Sequence, residues 1–109
     1  MPTVRCSQTT THYEQAGEGA DVVWVAGAGG TASSWDDYQL PYFRQYFRNT
    51  TYDCRGVGTT VCELPLPWPI EDFARDVAEL IEAVCDPPVA LIGLSFGAGI
   101  VQQLSLIHI

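Results

Sequence analysis

Two stretches of this sequence are apolar without interruption, and each runs straight into a glycine-rich turn. Val22-Val23-Trp24-Val25-Ala26 precedes Gly27-Ala28-Gly29-Gly30, and Val89-Ala90-Leu91-Ile92-Gly93 precedes Leu94-Ser95-Phe96-Gly97. A strand with one face in water alternates apolar and polar residues, because successive side chains point to opposite faces. An unbroken apolar run leaves neither face for solvent, which marks a strand of a parallel sheet covered on both sides. Parallel strands need a crossover rather than a hairpin. One is legible between the two runs: Ile70, Phe73, Ala74, Val77, Leu80, Ile81 and Val84 fall on one helical face, with acids and Arg75 between them. Pro69 stands where that helix can start, and Pro87-Pro88 stops it.

The remaining segments fit around this unit. Val4 to Gln8 and Thr10 to Ala16 are rich in Thr, Val and Tyr and close at Gly17-Glu18-Gly19, which predicts an opening strand pair. Ser33 or Ser34 can cap a helix running to about Phe47, bent or divided by Pro41. Asn49 to Tyr52 reads as a short strand, Thr59 to Pro69 as a proline-rich loop, and the chain from Ser95 onward as a helix. The expected class is α/β: a mostly parallel sheet, an antiparallel strand pair at its start, and helices on both faces. With 109 residues there is room for one domain, and 47% apolar residues supply a core.

Charge and cysteine usage exclude several functions. Five Lys and Arg stand against 13 Asp and Glu, a formal charge of −8, so a nucleic-acid backbone is not the expected partner. The four cysteines, Cys6, Cys54, Cys62 and Cys85, have neither C-x-x-C spacing nor a histidine at metal spacing, so the expectation is free thiols and no metal. No apolar run reaches the ~20 residues that span a bilayer, and Met1 to Cys6 carries no signal-type apolar segment. The expected location is the cytoplasm, with no membrane partner.

The segment Gly93-Leu94-Ser95-Phe96-Gly97 carries the chemistry. Between a buried strand and a helix, G-x-S-x-G forms a nucleophile elbow: the serine is held in a strained turn with its hydroxyl above the sheet. A Cβ at Gly93 or Gly97 would crowd the strand-to-helix crossing. The helix N-terminus adds partial positive charge, and Phe96 offers an N–H to an oxyanion. The plainer reading, a serine that only caps a helix, leaves the apolar strand and both glycines unaccounted for.

Here the sequence resembles the α/β-hydrolase family over nearly its whole length. Ala26-Gly27-Ala28-Gly29-Gly30 looks like the family's H-G-x-G loop after its third strand. Asp53-Cys54-Arg55-Gly56-Val57-Gly58 looks like its D-x-R-G-x-G turn after the fourth, and Gly93 to Gly97 like the elbow after the fifth. The resemblance implies that Ser95 attacks an acyl carbon and that the N–H groups of Ala28 and Phe96 form the oxyanion hole. Gly27, Gly29, Asp53, Arg55, Gly56, Gly93 and Gly97 would be structural, and no cofactor would be required. It further implies a small acyl substrate, a carboxylic ester, lactone or thioester. Serine at position 95 argues against the family's dehalogenases and epoxide hydrolases, which use aspartate there. One residue departs from the pattern: the family's usual histidine stands as Ala26.

Two alternatives accompany this reading. One is a non-catalytic, ligand-binding member of the same fold. The other is an NAD(P)-binding Rossmann oxidoreductase, since Gly27 to Ala32 fits G-x-G-x-x-A after a strand and Asp53 follows Gly27 by 26 residues. That reading leaves Gly93 to Gly97 without a role.

The family's triad runs Ser, acid, His. His12 lies in the opening strand pair. His108 follows Ser95 by 13 residues, about 20 Å along a helix rising ~1.5 Å per residue. A base must come within about 3 Å of its nucleophile, so neither histidine qualifies. Leu104-Ser105-Leu106-Ile107-His108-Ile109 also resembles one reading frame of a transposase adapter used in sequencing libraries. The expectation is therefore a partial hydrolase domain over residues 1–103 with a non-native tail over 104–109. Such a chain lacks the acid and histidine and should be inactive by itself.

Overall fold

The computed structural model describes residues 2–107. Its strands are β1 (Thr3–Arg5), β2 (Thr9–Ala16), β3 (Asp21–Val25), β4 (Arg48–Tyr52), β5 (Val61–Cys62) and β6 (Val89–Gly93). The helices are α1 (Gln39–Phe43), α2 (Ile70–Val84) and α3 (Phe96–Ile107), with a 3₁₀ turn over Ala32–Trp35. The sheet order is β1-β2-β4-β3-β6, and β5 pairs with β2 off this path. β3 runs parallel to both β4 and β6, whereas β1, β2 and β4 are joined antiparallel. The α/β class and the antiparallel pair at the start are as expected; the sheet is mixed rather than mostly parallel among the described residues, since β2 pairs antiparallel with β1, β4 and β5.

Alternation along β3 sorts its side chains into two cores. Val23 and Val25 pack beneath α2 and α3 with Ala74, Val77, Leu80, Ile100 and Leu104. Val22 and Trp24 face the other way, onto Trp35, Phe43 and Phe47. Every residue of β3 is buried, as its apolar run requires. β6 shares the apolar composition, yet only β3 pairs with it among the described residues, and its Ala90 is exposed. It forms the rim of the sheet.

Three details differ from expectation. Residues 33–47 do not make one divided helix: a 3₁₀ turn with Thr31 at its N-cap precedes the five-residue α1. The glycine turn ends at Gly30, so Thr31 is the first residue able to cap, and Ser34 Oγ accepts its N–H at 3.1 Å. Proline 41 has no N–H to donate, and the chain restarts two residues before it. Pro41 thus lies in a first turn, where the N–H groups have no helical acceptor. Second, the loop from Thr59 holds the two-residue β5, whose Val61 and Cys62 sit opposite Thr10 and Thr9. Third, α3 begins at Phe96, one residue later than expected, because Ser95 does not adopt helical dihedrals. Among the described residues no helix is long and apolar enough to cross a membrane.

Candidate active site

Ser95 sits in the turn between β6 and α3, exposed to solvent, with φ 58. Among the described residues it is the one non-glycine at positive φ, a conformation costing an L-residue roughly 1–2 kcal/mol. The glycines on either side make the turn possible. A Cβ on Gly93 would lie 2.6 Å from the Gly97 carbonyl oxygen and 2.8 Å from Ala98 Cα. One on Gly97 would strike the Val25 carbonyl oxygen and stand 2.6 Å from that of Ala26. The helix therefore starts against the backbone of β3, a closeness only glycine allows. Leu94 extends the contact by donating its N–H to Val25 O at 3.1 Å.

The loop after β3 lies against this elbow. Gly30 donates to Gly27 O at 2.9 Å, and Gly29 has φ 73 at the third position of the turn, where a type II turn needs a glycine. Ala28, at its tip, is exposed. Gly27 is within 3.5 Å of Ser95 Cβ, measured from where its own Cβ would be. Among the hydrogen bonds of the described residues, neither the Ala28 nor the Phe96 N–H has an acceptor. Two donors are thus unengaged beside an exposed hydroxyl at a helix N-terminus, a constellation able to hold developing negative charge.

The other motif residues brace this floor. Asp53 Oδ1 accepts the Ala32 N–H at 2.7 Å, and Oδ2 accepts the Thr59 N–H at 3.0 Å. Its carboxylate joins the turn after β4 to the 3₁₀ turn that follows the glycine loop. Arg55, with no exposed side-chain surface, donates to both oxygens of Asp76 at 2.7 and 2.8 Å and to Gln8 at 2.9 Å. Burial pushes the Asp76 carboxyl above its usual range, against the opposing pull of the Arg55 hydrogen bonds. Asp76 was not among the expected site residues. Its signal was its position: three residues after Phe73 and four before Leu80, it falls on the apolar stripe of α2, where a carboxylate requires a cation.

His12 is buried in β2, its ring nitrogens 3.1 Å from Pro2 O and 3.4 Å from Glu14 Oε2. Ser95 is not among its hydrogen-bond partners. His108 lies outside the described residues. Of the proposed tail, Leu104 to Ile107 continue α3, and Leu104 is buried in the core. The dinucleotide geometry is not realised: the glycine loop opens a four-residue 3₁₀ turn instead of a helix, and protein donors occupy both oxygens of Asp53.

The model of the alpha/beta hydrolase family matches residues 22–109. The chain belongs to the α/β-hydrolase family. A Mycobacterium tuberculosis (strain H37Rv) protein bearing the name non-heme bromoperoxidase BpoC is 35% identical over 87% of this chain. A Variovorax paradoxus protein bearing the name carbamate hydrolase RutD is 33% identical over 87% of it. This α/β-hydrolase chain spans 36% of the length of each of these relatives. The solved structure of Est816, described as an N-acyl homoserine lactone degrading enzyme, superposes with a TM-score of 0.87 at 26% identity, covering 98% of this chain and 40% of its own.

Proposed function

We propose that this chain is the N-terminal part of a serine hydrolase acting on carboxylic esters, lactones or related acyl compounds, with Ser95 as its nucleophile. The observation that carries the reading is the positive φ of Ser95, held in a strand-to-helix turn by two glycines that tolerate no side chain. Ser95 Oγ attacks the carbonyl carbon and its proton passes to a histidine base. The carbonyl oxygen, now negative, takes the N–H groups of Ala28 and Phe96, and the intermediate collapses by expelling the alcohol, which the imidazolium protonates. Water then attacks the acyl-enzyme by the same path in reverse. The histidine and the carboxylate that orients it are supplied by the full-length protein outside residues 2–107. A relative described as degrading a lactone and another named for carbamate hydrolysis support a carbonyl carbon as the target.

The test is turnover of a nitrophenyl ester by the full-length protein and its Ser95→Ala variant. Loss of a triad serine lowers turnover by about 10⁶, and the same collapse is expected here. A variant hydrolysing the ester at the parent rate would overturn the proposal. Saturable ligand binding without Ser95-dependent turnover would identify a binding protein built on this fold.

A further inference from the structure

Two clefts flank the Ala28 loop, and their linings differ. The smaller, about 370 Å³, is walled by the glycine backbone from Gly27 to Gly30 with Ser34, Gln39 and Trp35. The larger, about 580 Å³, is bounded by Val57, Leu66, Pro67, Trp68, Phe73 and Phe96. Ala28 lines both. Phe96, the other proposed oxyanion donor, lines the larger one alone, so a substituent of a carbonyl held on these two N–H groups can reach it.

The larger cleft is walled mainly by apolar side chains; Cys54 and Arg55 also line it, with Arg55 at its base. Trp68, the only side chain of Leu66, Pro67 and Trp68 with a donor, gives its indole N–H to Leu64 O at 3.0 Å and turns no free polar atom to the cleft. Its ring is fixed from several sides. The Arg55 guanidinium stands 5.6 Å from the Trp68 centroid and 5.7 Å from that of Phe73. Trp68 meets Phe73 edge-on at 6.3 Å, and Phe73 meets Phe96 edge-on at 5.2 Å. Gly56 lies directly under the ring, where a Cβ would come 2.6 Å from Trp68 Cη2. An unbroken chain of aromatic contacts therefore connects the proline-rich loop to the residue that donates to the oxyanion. Leu66, 73% exposed, completes the outer wall.

We propose that this cleft is the specificity pocket for an apolar alkyl or aryl group of the acyl substrate, with Trp68 and Leu66 as its specificity-determining residues. The inference rests on Ser95 as nucleophile. A cleft of this volume suits a ligand rather than a single methyl group, so the preferred substrate carries a bulky apolar substituent on the side of its carbonyl facing Phe96.

The experiment uses the full-length protein, Trp68→Ala, and Leu66→Asp, the last at a surface position where folding is not at risk. In one arm the acyl chain is varied, 4-nitrophenyl acetate against 4-nitrophenyl hexanoate; in the other the alcohol is varied, methyl against hexyl acetate. The expected result is a preference for the longer chain in kcat/KM in one arm, reduced about tenfold or more by each variant. Binding of 4-nitrophenyl hexanoate to Ser95→Ala protein, with and without each substitution, should weaken by a similar factor. Turnover whose preferences are unchanged in both arms would overturn the pocket and leave Ser95 standing. Binding weakened by Leu66→Asp, without any Ser95-dependent turnover, would overturn the nucleophile and leave the pocket.

Discussion

Ser95 holds its left-handed conformation in a turn whose flanking glycines leave no room for side chains of their own. Gly93 and Gly97 each abut neighbouring backbone closer than any Cβ can approach, whereas Gly27 has only ordinary contacts at 3.4 and 3.5 Å. The glycines of these motifs therefore differ in consequence. In the full-length protein, Gly97→Ala is expected to cost about 1–3 kcal/mol or more through forced displacement of α3 from β3, and to lower Ser95 reactivity. Gly27→Ala is expected to stay within about 0.5 kcal/mol. Urea unfolding of both variants checks this, and equal costs would contradict it. The crowding at Gly93 and Gly97 was legible in the sequence, because a G-x-S-x-G between strand and helix dictates it. The ordinary spacing around Gly27 was not, since it depends on how the loop lies against Leu94 and Ser95.

The elements are tied together by a few charged groups whose partners are distant in sequence. Asp21, at the start of β3, accepts two hydrogen bonds from Arg48 at 2.6 and 2.8 Å and one from the Asp86 N–H at 2.8 Å, joining β3, β4 and the entry to β6. The Arg48 hydrogen bonds hold its carboxyl below the usual range. A group whose folded pKa is lowered stabilises the fold above its unfolded pKa, about 3.9, and loses that contribution as pH falls through the folded value. Asp21→Asn should therefore cost about 2 kcal/mol near neutrality, with the gap to wild type closing below pH 4. Urea titrations at several pH values read this directly; a gap that widened in acid would contradict it. The parallel pair β3 and β6 and the long helix α2 were legible because periodicity and composition alone define them. The split of residues 33–47 and the pairing of β5 were not. The first follows from where Pro41 must sit in its helix, the second from an edge of β2 that only the folded sheet presents. Asp53 and Arg55 were legible as a motif, but Arg55's buried partner Asp76 emerges only when α2 is laid against the turn after β4.

At the scale of the molecule, the rim formed by β6 governs behaviour. Val89 to Gly93 contains neither proline nor charge, the usual guards of an edge strand. Beside it opens an apolar groove of about 660 Å³ between α2 and α3, lined by Ile81, Val89, Leu91, Val101 and Leu104. The 109-residue chain purified alone is expected to self-associate despite its formal charge of −8; light scattering on the eluted protein measures this, and a monodisperse monomer with a sharp thermal transition would contradict it. Since the chain spans 36% of the length of BpoC and RutD, the proposed reactivity of Ser95 is to be tested on the full-length protein. The most direct test is covalent: a fluorophosphonate probe is incubated with the full-length protein, and the adduct is located by peptide mass spectrometry. The account predicts one adduct per chain on Ser95, abolished in Ser95→Ala. An unlabelled protein, or an adduct on another serine that persists in the variant, would contradict it.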